Sequence, residues 1–282
     1  MDKFCIITNM EKDEDFLFTH MITDYLRKHN KKYVVAVSEN NGCYCEDEYI
    51  MPSEIPRDVE CAIVLGGDGT MIMAANNMAS KDIPIIGVNL GTLGFLTEID
   101  KDKIYESLDA LFDDKFKIES RLMIACSQQG IHQGDALNDI VISKKNTSSL
   151  IRIKIYINDE VANTYLSDGV IISTPTGSTG YNLSAGGPVV APYSKVMIIT
   201  PICPHSLFNR SIIVSWEDEI RIELENRNKK KEEAIISLDG STKIELQEGD
   251  TIRIKKAERK AKFIKIKQKG FFVQLRTKLG GG

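Results

Sequence analysis

The sequence predicts an α/β N-terminal doubly wound domain followed by a mostly antiparallel, β-sandwich-like C-terminal domain. Three observations predict it. Continuous apolar runs in the first 114 residues alternate with helix-period segments, the pattern of buried parallel strands joined by crossovers. From about residue 115 the apolar segments become short and alternating, with turn signals between them. A length of 282 residues favours two cores over one. The expected domains are 1–114 and 115–268, with a terminal helix over 271–279 docking back onto the first.

In order along the chain, Phe4-Cys5-Ile6-Ile7-Thr8 reads as a buried strand. A helix is predicted from Asp13 to Asn30, with Phe18, Ile22, Tyr25, Leu26 and His29 on one stripe and His29 as a helix-end residue. Tyr33 to Val37 is a second strand, and the acidic, aperiodic stretch 38–60 reads as a surface loop. Cys61-Ala62-Ile63-Val64-Leu65 is a buried strand that runs into Gly66-Gly67-Asp68-Gly69-Thr70 and then a helix beginning near Met71. Ile83 to Val88 is another buried strand, ending in Asn89-Leu90-Gly91-Thr92-Leu93-Gly94-Phe95, and Lys101 to Phe112 closes this half as a helix. Ligands of doubly wound sheets bind beyond the carboxyl ends of the strands, where both glycine-bearing loops fall and could face one crevice. In the second half, strands are predicted at 121–126, 136–142, 150–157, 160–166, 169–173, 195–200, 211–215, 219–225, 233–238, 243–246, 251–256 and 262–267. Asn158-Asp159, Asp239-Gly240 and Gly249-Asp250 are turn signals between them. The basic run 228–231 reads as a solvated hairpin tip and the closing glycines as a frayed end.

Composition narrows the function. A hydrophobic share of 42% and a charged share of 27% are those of an ordinary globular protein, and a net charge of −4 lends nucleic-acid binding no support. No apolar run reaches a membrane-spanning length and no signal-peptide pattern opens the chain, so a cytoplasmic protein with no membrane partner is expected. The six cysteines are scattered. Cys5 and Cys61 fall in buried strands as reduced core residues, and Cys43 with Cys45 has no second pair at zinc-site spacing.

Two loops carry chemistry. In Gly66-Gly67-Asp68-Gly69-Thr70, glycines let backbone N–H groups approach a phosphate, and the following helix start adds partial positive charge. A carboxylate in such a loop repels phosphate. Asp68 therefore either takes a proton from an attacking hydroxyl, helps to hold a magnesium ion, or serves only as an N-cap or Asx-turn residue. The second loop, Thr174-Pro175-Thr176-Gly177-Ser178-Thr179-Gly180-Tyr181-Asn182-Leu183-Ser184-Ala185-Gly186-Gly187-Pro188, packs hydroxyls, glycines and a tyrosine where a plain hairpin needs two or three residues. Such a loop can hydrogen-bond a polar ligand and stack an aromatic face on it, or be an elaborate structural turn. The chain has neither a Walker-type G-x-x-x-x-G-K-[ST] nor a G-x-G-x-x-G fingerprint, so backbone amides, a helix start and a metal must supply most of the positive field at a phosphate, and no dehydrogenase-type dinucleotide site is expected.

These motifs, with Leu137-Asn138-Asp139, Ser167-Asp168-Gly169 and the 200–207 stretch Thr-Pro-Ile-Cys-Pro-His-Ser-Leu, occur in the order found in NAD kinases, which the chain closely resembles over roughly residues 60–275. The resemblance implies phosphorylation of the adenosine ribose 2′-hydroxyl of NAD by ATP, giving NADP and ADP, with Asp68 as proton acceptor. It implies that Gly66, Gly67, Gly69 and Thr70 cradle the ATP phosphates, with Mg²⁺ or another divalent metal held mainly by those phosphates and no protein metal ligand assigned. It implies an NAD site made of Asp68, Gly69, Phe95, Asn138, Asp139, Asp168, Thr179, Gly180, Tyr181, Asn182, Leu183, Ser184 and His205. It also implies a homodimer or homotetramer. The chain departs from the family pattern at Asp139 (commonly Glu), Gly180 (commonly Ala), Leu166 (Arg in some) and Ser241 (frequently Gln). Two other readings compete: a related kinase acting on a lipid or sugar hydroxyl, which the polar 174–184 loop disfavours, and a nucleotide-binding protein without catalysis.

Overall fold

A computed structural model describes residues 1–37, 49–91, 94–145, 149–205, 209–225, 233–247, 249–266 and 270–280. Cys43 and Cys45, Thr92 and Leu93, Ser206 and Leu207, the basic run 228–231 and the last two glycines lie outside the described residues.

The elements run β1 (Lys3–Thr8), α1 (Leu17–Lys28), β2 (Lys32–Val37), β3 (Tyr49–Ile50), β4 (Cys61–Gly66), α2 (Asp68–Ala79), β5 (Ile85–Asn89), β6 (Ile99–Asp100), α3 (Ile104–Phe112) and β7 (Lys117–Arg121). They continue with β8 (Ile124–Gln128), β9 (Ile131–Ala136), β10 (Asp139–Lys144), β11 (Ile151–Ile157), β12 (Glu160–Ser167), β13 (Gly169–Ser173), α4 (Tyr181–Ser184), β14 (Val196–Ile202) and β15 (Ile212–Ser215). The last are β16 (Ile220–Glu225), β17 (Glu233–Leu238), β18 (Thr242–Gln247), β19 (Thr251–Lys256), β20 (Ala261–Lys265) and α5 (Phe271–Leu279). The chain divides into two compact units, one of residues 1–120 with 259–282 and one of residues 121–258.

The first unit holds an eight-stranded sheet of order β3-β2-β1-β4-β5-β20-β7, with β6 also paired to β5. The pairs β1–β2, β1–β4, β4–β5 and β5–β20 are all parallel. Strand β4 is buried along its whole length, as a continuous apolar run in a covered parallel sheet must be. Helix α2 buries Met71, Ala74, Ala75 and Met78, the i, i+3, i+4, i+7 set of one helical face. Helix α1 starts at Leu17, later than the predicted Asp13. The buried Asp13 carboxylate accepts from the Phe18 and Thr19 backbone N–H groups and the Thr19 hydroxyl, while Asp15 and Phe16 adopt positive φ. His29 closes this helix, its Nδ1 2.9 Å from the Tyr25 carbonyl.

Residues 115–120 and 259–268 stand apart from the expected second domain. β20 extends the parallel sheet, with Phe263 opposite Ile85, and buries Phe263 and Ile264. A short alternating segment does not reveal which sheet it will join. The surface loop expected over 38–60 includes β3, paired parallel with β2.

The second unit contains two six-stranded sheets, β15-β14-β13-β10-β17-β18 and β12-β11-β16-β19-β8-β9. Their ladders are antiparallel, and both contribute inward side chains to one core. Ile140, Ile172, Ile199 and Ile236 come from the first sheet; Ile124, Ile153, Ile222 and Ile252 come from the second. Strand β9 was not expected: Ile-His-Gln-Gly-Asp-Ala is an exposed edge with Ile131 67% accessible, so no apolar alternation marks it.

Candidate active site

In the first unit, β4 ends at Gly66 and α2 begins at Asp68, with Gly67 as the N-cap in an extended conformation. Asp68 is therefore not an N-cap side chain. Its carboxylate instead accepts from two successive backbone N–H groups, Phe95 to Oδ2 at 2.8 Å and Leu96 to Oδ1 at 3.0 Å. The start of α2 favours negative charge at the same place. A Cβ at Gly94 would lie 1.9 Å from Asp68 Oδ1, so only glycine lets the chain after β5 reach the carboxylate. The side chain remains 34% exposed. Gly69 is exposed in the first turn of α2, whereas Thr70 is buried. The Thr70 hydroxyl accepts from Asn9 Nδ2 at 3.2 Å and packs on Gly66, where a Cβ would come within 2.5 Å of it. Phe95 is half-buried, with the Lys278 ammonium 4.2 Å from its ring centroid. Asp68 and Phe95 thus come together; Asn9 and Lys278 join them and were not singled out in the sequence.

In the second unit, Asn138 and Asp139 lie where β10 begins, and the long loop follows β13, the neighbour of β10. The Thr174 hydroxyl donates to the Leu137 carbonyl at 2.6 Å, and the Thr174 N–H donates to the Asn138 carbonyl at 2.8 Å. A Cβ at Gly177 would sit 2.2 Å from the Asn138 carbonyl oxygen. Most of the loop's polar atoms face inward. The Ser178 hydroxyl donates to the carbonyls of Pro175 and Val190, and Asn182 is fully buried. The Asn182 Nδ2 donates to the Ser178 and Pro188 carbonyls, and its Oδ1 accepts from Thr200 Oγ1 at 2.7 Å. Of the site candidates here, Tyr181 at 47% and Ser184 are exposed, and Thr179, Gly180 and Leu183 are half-buried.

Asp239, at the tip of the β17–β18 hairpin with φ of 48°, accepts from the N–H groups of Leu137, Asn138 and Asp139. The sequence marks Asp239-Gly240 as a turn, but nothing in it signals this clamp. Burial, and then the nearby Asp239 charge, push the Asp139 carboxyl up to about 7. Asp168 pairs with Lys144 at 2.5 Å, and the exposed His205 donates its backbone N–H to the Leu166 carbonyl. Cys5, Cys61 and Cys126 are buried free thiols, with burial pushing Cys5 up to about 12. No group of three or more His, Cys, Asp or Glu that could hold a metal occurs among the described residues. None of the described helices is long and apolar enough to cross a membrane.

Comparison with known proteins bears on this geometry. Residues 4–116 match the ATP-NAD kinase N-terminal domain family, and residues 137–266 match the ATP-NAD kinase C-terminal domain family. An NAD kinase of Lachnoclostridium phytofermentans is 49% identical over 287 residues, 99% of each chain, and one of Agathobacter rectalis is 39% identical over 282 residues, again 99% of each. Among solved structures, yeast NADH kinase complexed with NADH has a TM-score of 0.83 at 24% identity, covering all of this chain and 88% of its own. An NAD kinase from Archaeoglobus fulgidus in complex with ATP has a TM-score of 0.78 at 24% identity, over 99% and 98% of the two chains. At that identity the solved structures speak for the fold, and the close relatives and both domain matches speak for the family: the chain belongs to the NAD kinases.

Proposed function

We propose that phosphoryl transfer from ATP to NAD in this chain runs through Asp68 as proton acceptor for the adenosine ribose 2′-hydroxyl. The observation that carries this reading is the half-exposed Asp68 carboxylate, oriented by the Phe95 and Leu96 amides inside a glycine loop at a helix start. The hydroxyl oxygen attacks the γ-phosphorus and forms the new O–P bond. The bond from the γ-phosphorus to the β,γ-bridging oxygen breaks, its electron pair leaves on ADP, and the hydroxyl proton passes to Asp68. General-base help of this kind contributes about 10²–10⁴-fold, and in-line positioning and charge neutralisation supply the rest.

The backbone of Gly66, Gly67 and Gly69 suits the ATP phosphates, with Thr70 shaping the loop through Asn9. A divalent ion fits this loop if phosphate oxygens supply most of its ligands, because Asp68 is the loop's only carboxylate. The ion would neutralise charge on the transferred group. In the second unit, Asn138, Asp139, Asp168, Thr179, Gly180, Tyr181, Leu183, Ser184 and His205 are the proposed NAD contacts; in the first unit, the proposed contacts are Asp68, Gly69 and Phe95. Asn182 serves by shaping the loop. A homodimer or homotetramer is proposed from the likeness to the family, and a size-exclusion mass measurement tests it. The absence of a membrane-crossing helix among the described residues fits a cytoplasmic enzyme.

Incubation with ATP, Mg²⁺ and NAD, read by an NADP-specific dehydrogenase, should give NADP with the native chain and almost none with Asp68→Asn. Near-normal turnover by Asp68→Asn would remove the base assignment. The relatives do not favour a lipid or sugar acceptor; ADP release only with such an acceptor would reinstate it.

A further inference from the structure

A triphosphate bound beside Asp68 sets several negative charges against a fixed carboxylate, and the glycine loop contains no lysine. Two lysines distant in sequence reach it instead. In the sheet order β3-β2-β1-β4-β5 the crossovers from β1 run to both sides, so the switch point lies between β1 and β4. The loop after β4 is Gly66–Thr70. The loop after β1 carries Lys12, and its ammonium stands 2.8 Å from where a Cβ on Gly67 would be. That loop is held firmly. The Asn9 backbone N–H donates to the Leu65 carbonyl, its side chain donates to Thr70, and Asp13 is buried against Thr8 and Thr19. On the other side, the last turn of α5 places Lys278 Nζ 3.8 Å from Asp68 Oδ2 and over the Phe95 ring. Its distance from the carboxylate is loose for an ion pair, and the side chain is 20% exposed on a long flexible stem.

We infer that Lys12 and Lys278 form a two-sided cationic clamp on the ATP triphosphate, with Lys278 leaving the Asp68 carboxylate for a phosphate oxygen as the nucleotide binds. Before binding, Lys278 offsets the carboxylate's charge. After binding, it offsets the phosphate's charge and frees Asp68 to face the ribose hydroxyl. Lys12 remains at Gly67 throughout. The two ammonium groups supply what a loop lysine supplies in Walker-type sites, from elements at opposite ends of the chain. The clamp rests on reading Gly66–Thr70 as the ATP-phosphate loop.

The test uses the full chain with Mg·ATP and NAD, in Lys12→Met, Lys278→Met and Lys278→Arg. Each methionine variant should raise the KM for ATP by about tenfold or more, the usual cost of losing a hydrogen bond to a charged group. The KM for NAD should stay within about twofold. Lys278→Arg should recover most of the ATP affinity, which a purely structural role for the helix would not explain. Thermal shifts give a second readout: the melting temperatures without ATP should match the native chain, while the ATP-induced rise shrinks in both methionine variants. If Lys278→Met lowered kcat alone and left the ATP affinity intact, Lys278 would act only through Asp68 and the clamp would be overturned. Unchanged ATP affinity in Lys12→Met would overturn it equally. Failure of the native chain to bind ATP would instead strike the phosphate-loop reading itself. Should Lys278→Met fold poorly, the comparison of Lys278→Arg with Lys278→Gln at equal melting temperature decides the point.

Discussion

The two loops at the centre of this protein solve different problems. Gly66–Thr70 is short, sits between a buried strand and a helix, and leaves its one carboxylate half-exposed with its orientation set by amides from a neighbouring loop. The loop of residues 174–188 is long and rich in hydroxyls, yet most of those groups bond inward: Thr174 to Leu137, Ser178 to Pro175 and Val190, and Asn182 to three partners. A polar side chain in a candidate binding loop is thus not necessarily aimed at a ligand. Backbone that leaves regular ladders must find partners, and here side chains of the same loop provide them.

Substitutions can break or sharpen this contrast. The largest effect is expected from Asp68→Asn, which should lower kcat by about 10²–10⁴-fold with little change in NAD affinity, measured by steady-state kinetics and direct binding. Next comes Gly94→Ala. Its Cβ would displace the Asp68 carboxylate, and a misplacement near 1 Å can cost about 10²-fold in turnover while the melting temperature changes little. In the second loop, Asn182→Ala should act on stability. It removes the donor to the Ser178 and Pro188 carbonyls and leaves the Thr200 hydroxyl with Ser211 alone, with an expected loss of about 2–3 kcal/mol in denaturant unfolding.

Asp139 gives a pH test of the site beside that loop. Its folded pKa of about 7 lies above the ordinary carboxylate value, so the native state holds this proton more tightly than the unfolded chain. The stabilisation it contributes is fully present below about pH 4 and is lost as pH rises through about 7. Unfolding measured between pH 4.5 and 8 should show this decline, on the order of 1–3 kcal/mol, and Asp139→Asn should flatten it. The smallest effect is expected from Tyr181→Ala: a weakening of NAD binding by about fivefold, in keeping with a lost aromatic contact of about 1 kcal/mol, with stability unchanged because the side chain is largely exposed. An unchanged NAD affinity would remove Tyr181 from the site.

Much of this was legible along the chain. Continuous apolar runs identified β1, β4 and β5, and an apolar stripe identified α1, because burial on both faces or on one stripe leaves its mark in local composition. The affiliation of β20 was not legible, since an alternating five-residue segment fits either domain. Nor was the clamp of Asp239 on Asn138, which joins residues 101 apart.

The motifs by themselves determined the family, the two-part architecture and the identity of the central carboxylate, because each is written in contiguous residues whose spacing answers to a strand, a turn or a helix start. Only the tertiary structure decided which of those residues face outward and what holds them. It showed Asp68 gripped by the Phe95 and Leu96 amides, Asn182 turned inside, Lys12 brought to Gly67 and Lys278 brought to Asp68. Hydrogen bonds and charges act over ångströms in space, and local sequence carries no record of which distant segment will supply the partner.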